Sequence, residues 1–397
     1  MKTIPEQIQA LGSDLVEWRR QFHQIPETAL QETKTASIIA EKLSSWGLEV
    51  QTGVGKTGVV GILKGQSKGK TLGIRVDIDA LPVTEETGHS FASKHPGVMH
   101  ACGHDGHITI GLGTARILSL NRGLLKGTVV FFFQPAEETL NGAQAMLDSG
   151  ILKEIKLDGI VGLHIWPDFP LGTVAVQSGP VMAAVDRFFV EVVGKGGHGA
   201  MPQKSIDPIV LASQVVLAFQ TLVSREIDPL KPAVVTIGRI QGGTTFNVIP
   251  DKVELEGTVR TFDSEVREFL PKRMEQILKG ITEGARGSYT FQYEYGIPAV
   301  INDEQLATRI QGVIQKCLGK DQVITKILPS MGGEDFSLFQ KEAPGVYLFL
   351  GTHNPDLPSY PLHHAKYTLD ERVLPLGVRV FSEIALDFLT EFEFATE

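Results

Sequence analysis

Apolar residues early in the chain fall three or four apart, at Ile8, Leu11, Leu15, Trp18 and Phe22, and predict a helix with one buried face. The stretch TKTASIIAEKLSSWG predicts a second helix, which Gly47 ends as a C-cap. Past it the pattern shortens. GVVGILKG and KTLGIRVDIDALPV are apolar runs of strand length, parted by QSKGK, a hairpin or short loop. HITIGLGTARILSL returns to helical spacing and ends near Asn121 and Gly123. GTVVFFFQPAEE is far shorter than the ~20 residues a spanning helix needs, and its β-branched and aromatic residues predict a buried strand. The helix GAQAMLDSG and the strand DGIVGLHIWP follow. Strands alternating with helices predict an α/β sheet with helices on both faces.

After Pro180 the texture changes. DRFFVEVVGKGG alternates as a strand, IDPIVLASQVVLAFQTLVSRE is a strong helix, and AVVTIGRIQGG and DKVELEGTVRTF are two further strands. A helix over SEVREFLPKRMEQILKGITEGARG and a last strand, SYTFQYEYG, complete a βαββαβ order, that of a ferredoxin-like unit. From about residue 296 helices and short apolar strands such as GVYLFLG resume. The expectation is a discontinuous larger domain, 1–182 with 296–397, interrupted by an insert at 183–295.

Composition agrees with two domains, since 397 residues exceed what one ordinary core holds. A net charge of −9 and the absence of a dense basic run argue against a nucleic-acid partner. The N-terminal residues mix acidic and basic side chains where a secretory signal would need an apolar core. Only Cys102 and Cys317 occur, in contexts that suggest no pairing, so the expected setting is a reducing cytoplasm, away from membranes.

Chemistry concentrates in MHACGHDGH, residues 99–107. A structural zinc site would need four closed ligands, commonly paired cysteines, and no second cysteine lies near Cys102. A catalytic site instead gathers ligands from scattered strand ends. His104 lies two residues after Cys102 across a glycine, Glu137 and Glu138 follow an apolar strand, His164 follows IVGL, and His363 and His364 follow SYPL. Each alone reads as a hydrogen-bonded structural histidine or a solvated helix start, as His23, His89, His95, His100 and His353 do. Their placement beside strand ends of one sheet favours a metal site. HExxH, PCxxC, G-x-S-x-G and phosphate-loop motifs are all missing from the sequence. Asp79 and Asp105 read equally as loop carboxylates bonded to backbone or as groups that orient a ligand. His107 reads as support for the loop or as the opening of the next helix. In the insert, Arg260 is either a solvent-facing strand residue or a fork for a carboxylate.

The strings RVDIDALPVTEE, MHACGHDGH, QPAEE, GLHIWP, GKGGHGAMP, NVIPDKVELEGTVRTF and MGGEDFS occur in this order over most of the chain. Together they closely resemble the dinuclear metal amidohydrolases of the aminoacylase and carboxypeptidase superfamily. Within it they resemble the branch of hippurate hydrolases, N-acetyl-diaminopimelate deacetylases and auxin-conjugate hydrolases. The resemblance implies a mixed-sheet, metallopeptidase-like α/β catalytic domain carrying a ferredoxin-like lid and dimerisation insert. It implies Cys102, His104, Glu138, His164 and His363 as ligands of two divalent ions, with the Cys102 thiolate shared. Zinc or manganese is expected first, then cobalt or nickel. His363 is chosen over His364 from LHHAKYTLDE, where Ala365 replaces the usual proline, and Gln203 stands where many relatives have histidine. Glu137 matches the general base. Asp79 lies where the superfamily keeps an acid near the metals. His198 matches a histidine that reaches across a dimer to the scissile carbonyl, with Asn247 and Arg260 as substrate-binding candidates. The implied activity is hydrolysis of N-acyl-L-amino acids by a homodimer or higher homo-oligomer. A carboxypeptidase or dipeptidase is the alternative, and a non-catalytic binding protein on the same fold a further one.

Overall fold

The computed structural model describes residues 2–390; Met1 and 391–397, the end of the segment assigned to the larger domain, lie outside the described residues. The helix expected from Ile8 to Phe22 is two helices, α1 (Ile4–Ala10) and α2 (Gly12–His23), joined at Leu11. Thr3 closes a capping box with Glu6 at the start of α1. Next come α3 (Thr33–Ser45), β1 (Glu49–Val54), β2 (Gly58–Lys64), β3 (Ser67–Asp77), α4 (His104–Leu120), β4 (Lys126–Gln134), α5 (Gly142–Asp148), β5 (Gly159–Pro170) and β6 (Val174–Ala175). The chain then builds β7 (Ala184–Val193), α6 (Pro208–Thr221), β8 (Ala233–Gly242), β9 (Lys252–Thr261), α7 (Ser264–Gly284) and β10 (Ser288–Tyr295). It ends with α8 (Glu304–Leu318), β11 (Val323–Ile324), β12 (Gly345–His353) and α9 (Val373–Thr390).

Two compact units result: Met1–Val181 with Ile301–Leu328 and Asp335–Glu397, and Met182–Val300 with Pro329–Glu334. The segment Pro329–Glu334, which the sequence pattern leaves with the larger unit, clusters with the smaller one. The first unit holds a mixed eight-stranded sheet in the order β1-β2-β4-β3-β5-β12-β6-β11. QSKGK is not a hairpin, because β4 lies between β2 and β3, antiparallel to the former and parallel to the latter. Both faces of β4 are covered: Val129, Val130, Phe131, Phe132 and Phe133 are fully buried, which explains its unbroken apolar run.

The second unit is an antiparallel sheet, β8-β9-β7-β10, carrying α6 and α7. Numbered within the unit, its strands run 2-3-1-4. Phe188, Val190, Leu255 and Val259 pack with Leu211, Val215 and Phe219 of α6 and Leu270, Met274 and Leu278 of α7. The helical stretch Pro208–Glu226 is long and apolar enough to cross a membrane. Its buried side packs in this core, as a core helix does, while Ile209, Val210 and Leu217 on it are exposed.

Candidate metal centre

The parallel strands β3, β4 and β5 deliver their carboxyl ends to one place, where open α/β sheets hold their sites. Register pairs Arg75 with Gly162, so Asp77 at the end of β3 stands level with His164 inside β5. Glu137 and Glu138 follow β4 on a turn that begins with Ala136 at φ 53°. Cys102 and His104 flank Gly103, the left-handed N-cap of α4 (φ 85°), where a Cβ would sit 3.1 Å from the Tyr367 hydroxyl. Only glycine meets both demands. His363 has φ 67° and donates its N–H to the carbonyl of Ala101 at 2.8 Å, next to Cys102. Left-handed non-glycine residues at two points of one cluster are strain of the kind that functional sites retain.

The side chains converge. Cys102 Sγ lies 3.4 Å from His164 Nε2, His104 Nε2 lies 3.8 Å from Glu138 Oε1, and His363 Nε2 lies 3.4 Å from Glu138 Oε2. Donor atoms of Cys102, His104 and His164, of Cys102, Glu138 and His363, and of His104, Glu137 and Glu138 fall within 4.8 Å of one another in each set. The His364 ring instead stacks on Tyr360. His104 Nδ1 donates to the Asp79 carbonyl at 2.9 Å and His164 Nδ1 to the Ile165 carbonyl at 2.6 Å. With Nδ1 as the donor, each ring turns its Nε2 toward the cluster, where a cation would meet its lone pair. Asp79 also accepts from the Glu138 N–H at 3.0 Å, so it orients two members of the cluster.

His104 Nε2 and Glu138 Oε1 are buried with no hydrogen-bond partner among the described residues, an arrangement that costs free energy unless something else binds them. Burial, with help from Glu138, holds the Cys102 thiol well above its ordinary range. Burial, with Asp79 adding, raises Glu138 to about 7. His164 is kept neutral by burial and by its neighbour His107. A thiol, two carboxylates and imidazoles crowded out of water are groups that a divalent cation would stabilise together, and the donor set fits such ions.

Several supporting residues escaped the sequence pattern. Arg75 donates to Gln134 (2.8 Å), Asp77 (2.7 Å) and Asp335 (2.9 Å), all buried. Asp77 accepts from His107 Nδ1, and His107 Nε2 accepts the Ile165 N–H at 2.9 Å. This network joins β3, β4, α4 and β5 behind the cluster. Asp105 pairs elsewhere: its carboxylate binds Arg19 at 2.8 Å and His23 at 2.7 Å, bracing the start of α4 against α2. The alternation of Arg75 and Asp77 in an apolar strand was the available signal, since buried charges require partners.

The remaining candidates lie in the second unit. His198 belongs to the two-residue strand Gly197–His198, paired with Val248–Ile249. Its Nδ1 accepts from the Ala200 N–H at 3.1 Å. Asn247 lies beside it, its carbonyl accepting from the Gly199 N–H at 2.8 Å. Both are exposed, as is Phe246. Arg260, half-buried on β9, lines a cavity of about 420 Å³ with Arg187, Thr236, Arg239 and Glu256. Burial lowers its pKa.

Cysteine, histidine and carboxylate donors at the carboxyl ends of parallel strands define the centre of a metallohydrolase. The sequence profile of peptidase family M20/M25/M40 matches residues 73–387, and the chain belongs to that family. It is 42% identical over 378 residues to N-acetylcysteine deacetylase of Bacillus subtilis (strain 168), which covers 95% of this chain and 97% of that protein. With N-acyl-L-amino acid amidohydrolase of Geobacillus stearothermophilus it shares 45% identity over 303 residues, 76% of this chain and 81% of the other. A solved Bacillus subtilis structure, described as a dinuclear metal-binding peptidase of the M20 family, matches with a TM-score of 0.85 and 38% identity, covering 96% and 99% of the two chains.

Proposed function

We propose that this protein hydrolyses the amide bond of N-acyl-L-amino acids, using two divalent metal ions held by Cys102, His104, Glu138, His164 and His363. The observation that carries the reading is the cluster itself, five such donors converging with Glu137 beside them. The names of the deacetylase and amidohydrolase relatives support the substrate class. When bound, such ions polarise the amide carbonyl and lower the pKa of the attacking water. Glu137 takes the proton of that water and delivers it to the leaving nitrogen. Asp79 fixes His104 and Glu138 in place. His198 donates a hydrogen bond to the carbonyl oxygen from a neighbouring subunit, Arg260 forks onto the substrate α-carboxylate, and Asn247 adds a polar contact.

Residues 183–295 serve in this reading as lid and dimerisation domain. The exposed Ile209, Val210 and Leu217 of α6 and the edge strand β8 favour a homodimer interface there. Zinc or manganese best suits a site that mixes thiolate, imidazole and carboxylate, with cobalt or nickel also accommodated. A buried free thiol at the site fits the reducing cytoplasm.

A panel of acetyl- and benzoyl-amino acids, run beside unblocked dipeptides on metal-free protein restored with each ion, tests the proposal. Turnover of the blocked substrates that depends on added metal is expected. Preference for unblocked dipeptides would instead make the protein a dipeptidase or carboxypeptidase, and no turnover with any ion would leave a binding protein.

A further inference from the structure

The turn that carries Glu137 and Glu138 rests on a conformation alanine seldom adopts, and the structure shows what holds it. Ala136, at φ 53°, is fixed from both sides. Its carbonyl accepts from the Gly142 N–H at 3.1 Å, where a Cβ would fall 1.5 Å from the Pro135 oxygen, so glycine alone fits there. Its N–H donates to Glu32 Oε1 at 2.9 Å, a bond that reaches across 104 residues of sequence. The same oxygen accepts from the N–H of Leu30, itself at φ 59°, at 3.0 Å. Glu32 Oε2 accepts from the Thr57 hydroxyl at 2.6 Å. Glu32 has no exposed surface. A carboxylate is rarely withdrawn from water so completely, and here its oxygens accept from two backbone N–H groups and a hydroxyl, one of them on the residue before Glu137.

We propose that Glu32 is a positioning residue for the proton shuttle: its bond to the Ala136 N–H holds the left-handed turn that sets Glu137 against the metal cluster. The inference rests on the reading of Glu137 as the general base. A misplacement of about 1 Å in a reacting group can lower a rate about 100-fold. The loss on removing Glu32 should therefore fall between no effect and that of removing Glu137.

The test compares Glu32→Met, of similar length but without an acceptor, with Glu32→Gln, whose amide oxygen can still accept from Ala136. For Glu32→Met we expect kcat to fall by about 10- to 100-fold, with KM within about twofold of wild type and two metal ions per chain by elemental analysis. Glu32→Gln should keep most of the activity. Glu32→Met combined with Ala136→Gly should recover much of the loss, because glycine adopts positive φ without the bond. Wild-type kcat in Glu32→Met would overturn the proposal. Loss of metal in step with kcat would also overturn it, because the turn would then be acting through Glu138. If Glu32→Met does not fold, Glu32→Asp decides: it keeps the charge but withdraws the oxygens from Ala136, and unchanged kcat would overturn the proposal. Glu137→Gln, run in parallel, separates the two readings. Wild-type kcat in that variant removes the base assignment, whereas a disabled Glu137→Gln beside a fully active Glu32→Met removes the role of Glu32 alone.

Discussion

At the scale of single residues, Cys102 carries the sharpest consequence. Its thiol is buried and pushed well above its ordinary range, so it ionises only if a cation is there to meet it. Cys102→Ala should fold with a normal far-ultraviolet spectrum yet hold fewer than two ions per chain by elemental analysis, and retention of two would remove it from the ligand set. Glu138 leads to a prediction about pH. Its carboxyl, raised to about 7 by burial, keeps its proton below that point, and the proton must leave before metal can bind. Apparent metal affinity should therefore fall as pH drops from 8 to 6, with protons released on binding; an affinity flat over this range would contradict it. Glu137→Gln should keep both ions and lose about 100- to 10,000-fold in kcat, read from metal content and steady-state rates together. The cluster was legible where its side chains lie close in sequence, as Cys102 and His104 do. The bonds of Glu32 to Ala136 and of Arg75 to Asp335 were not legible, because these partners lie 104 and 260 residues apart along the chain and become neighbours only in the folded protein. Asp105 shows the converse, since adjacency to His104 in sequence invited a role at the metals while the helix start turned its carboxylate to Arg19 and His23.

At the scale of elements, periodicity found most of the helices and strands because each has a face, or two, to bury. It missed β1, whose EVQTGV is mostly exposed and carries little apolar signal. It also could not order the sheet. Nothing local in GVVGILKG and KTLGIRVDIDALPV says that a strand some sixty residues later will enter between them, because β4 satisfies the backbone of both. The turn bearing Glu137 and Glu138 leaves the end of β4, so the placement of both carboxylates depends on that strand. Phe132 is fully buried there and packs its ring 5.5 Å from that of Phe339. Phe132→Ala should cost about 3–5 kcal/mol of unfolding free energy, as large-to-small core changes do. Denaturant titration at constant m-value checks this, and a loss under about 1 kcal/mol would mean that the strand relaxes around the void.

At the scale of the whole molecule, the five candidate metal donors all belong to the first unit and His198, Asn247 and Arg260 to the second. His198 is exposed and pairs with Val248, two residues after the fully exposed Phe246, an arrangement suited to meeting another surface. If His198 serves the site of a neighbouring subunit, each active site is made from two chains. A chain with His198→Ala is then inactive because it fails its partner, and a chain with Glu137→Gln because it fails itself. In a mixed dimer of the two, one site receives His198 from the Glu137→Gln chain and Glu137 from the His198→Ala chain, while the other site receives neither. Differently tagged chains, co-purified so that only mixed dimers remain, should regain activity at one site of the two. Each parent should stay down, by about 100- to 1,000-fold for loss of an oxyanion donor. Mixed dimers no more active than their parents would place His198 in its own chain's site, and an active His198→Ala homodimer would remove it from the reaction altogether.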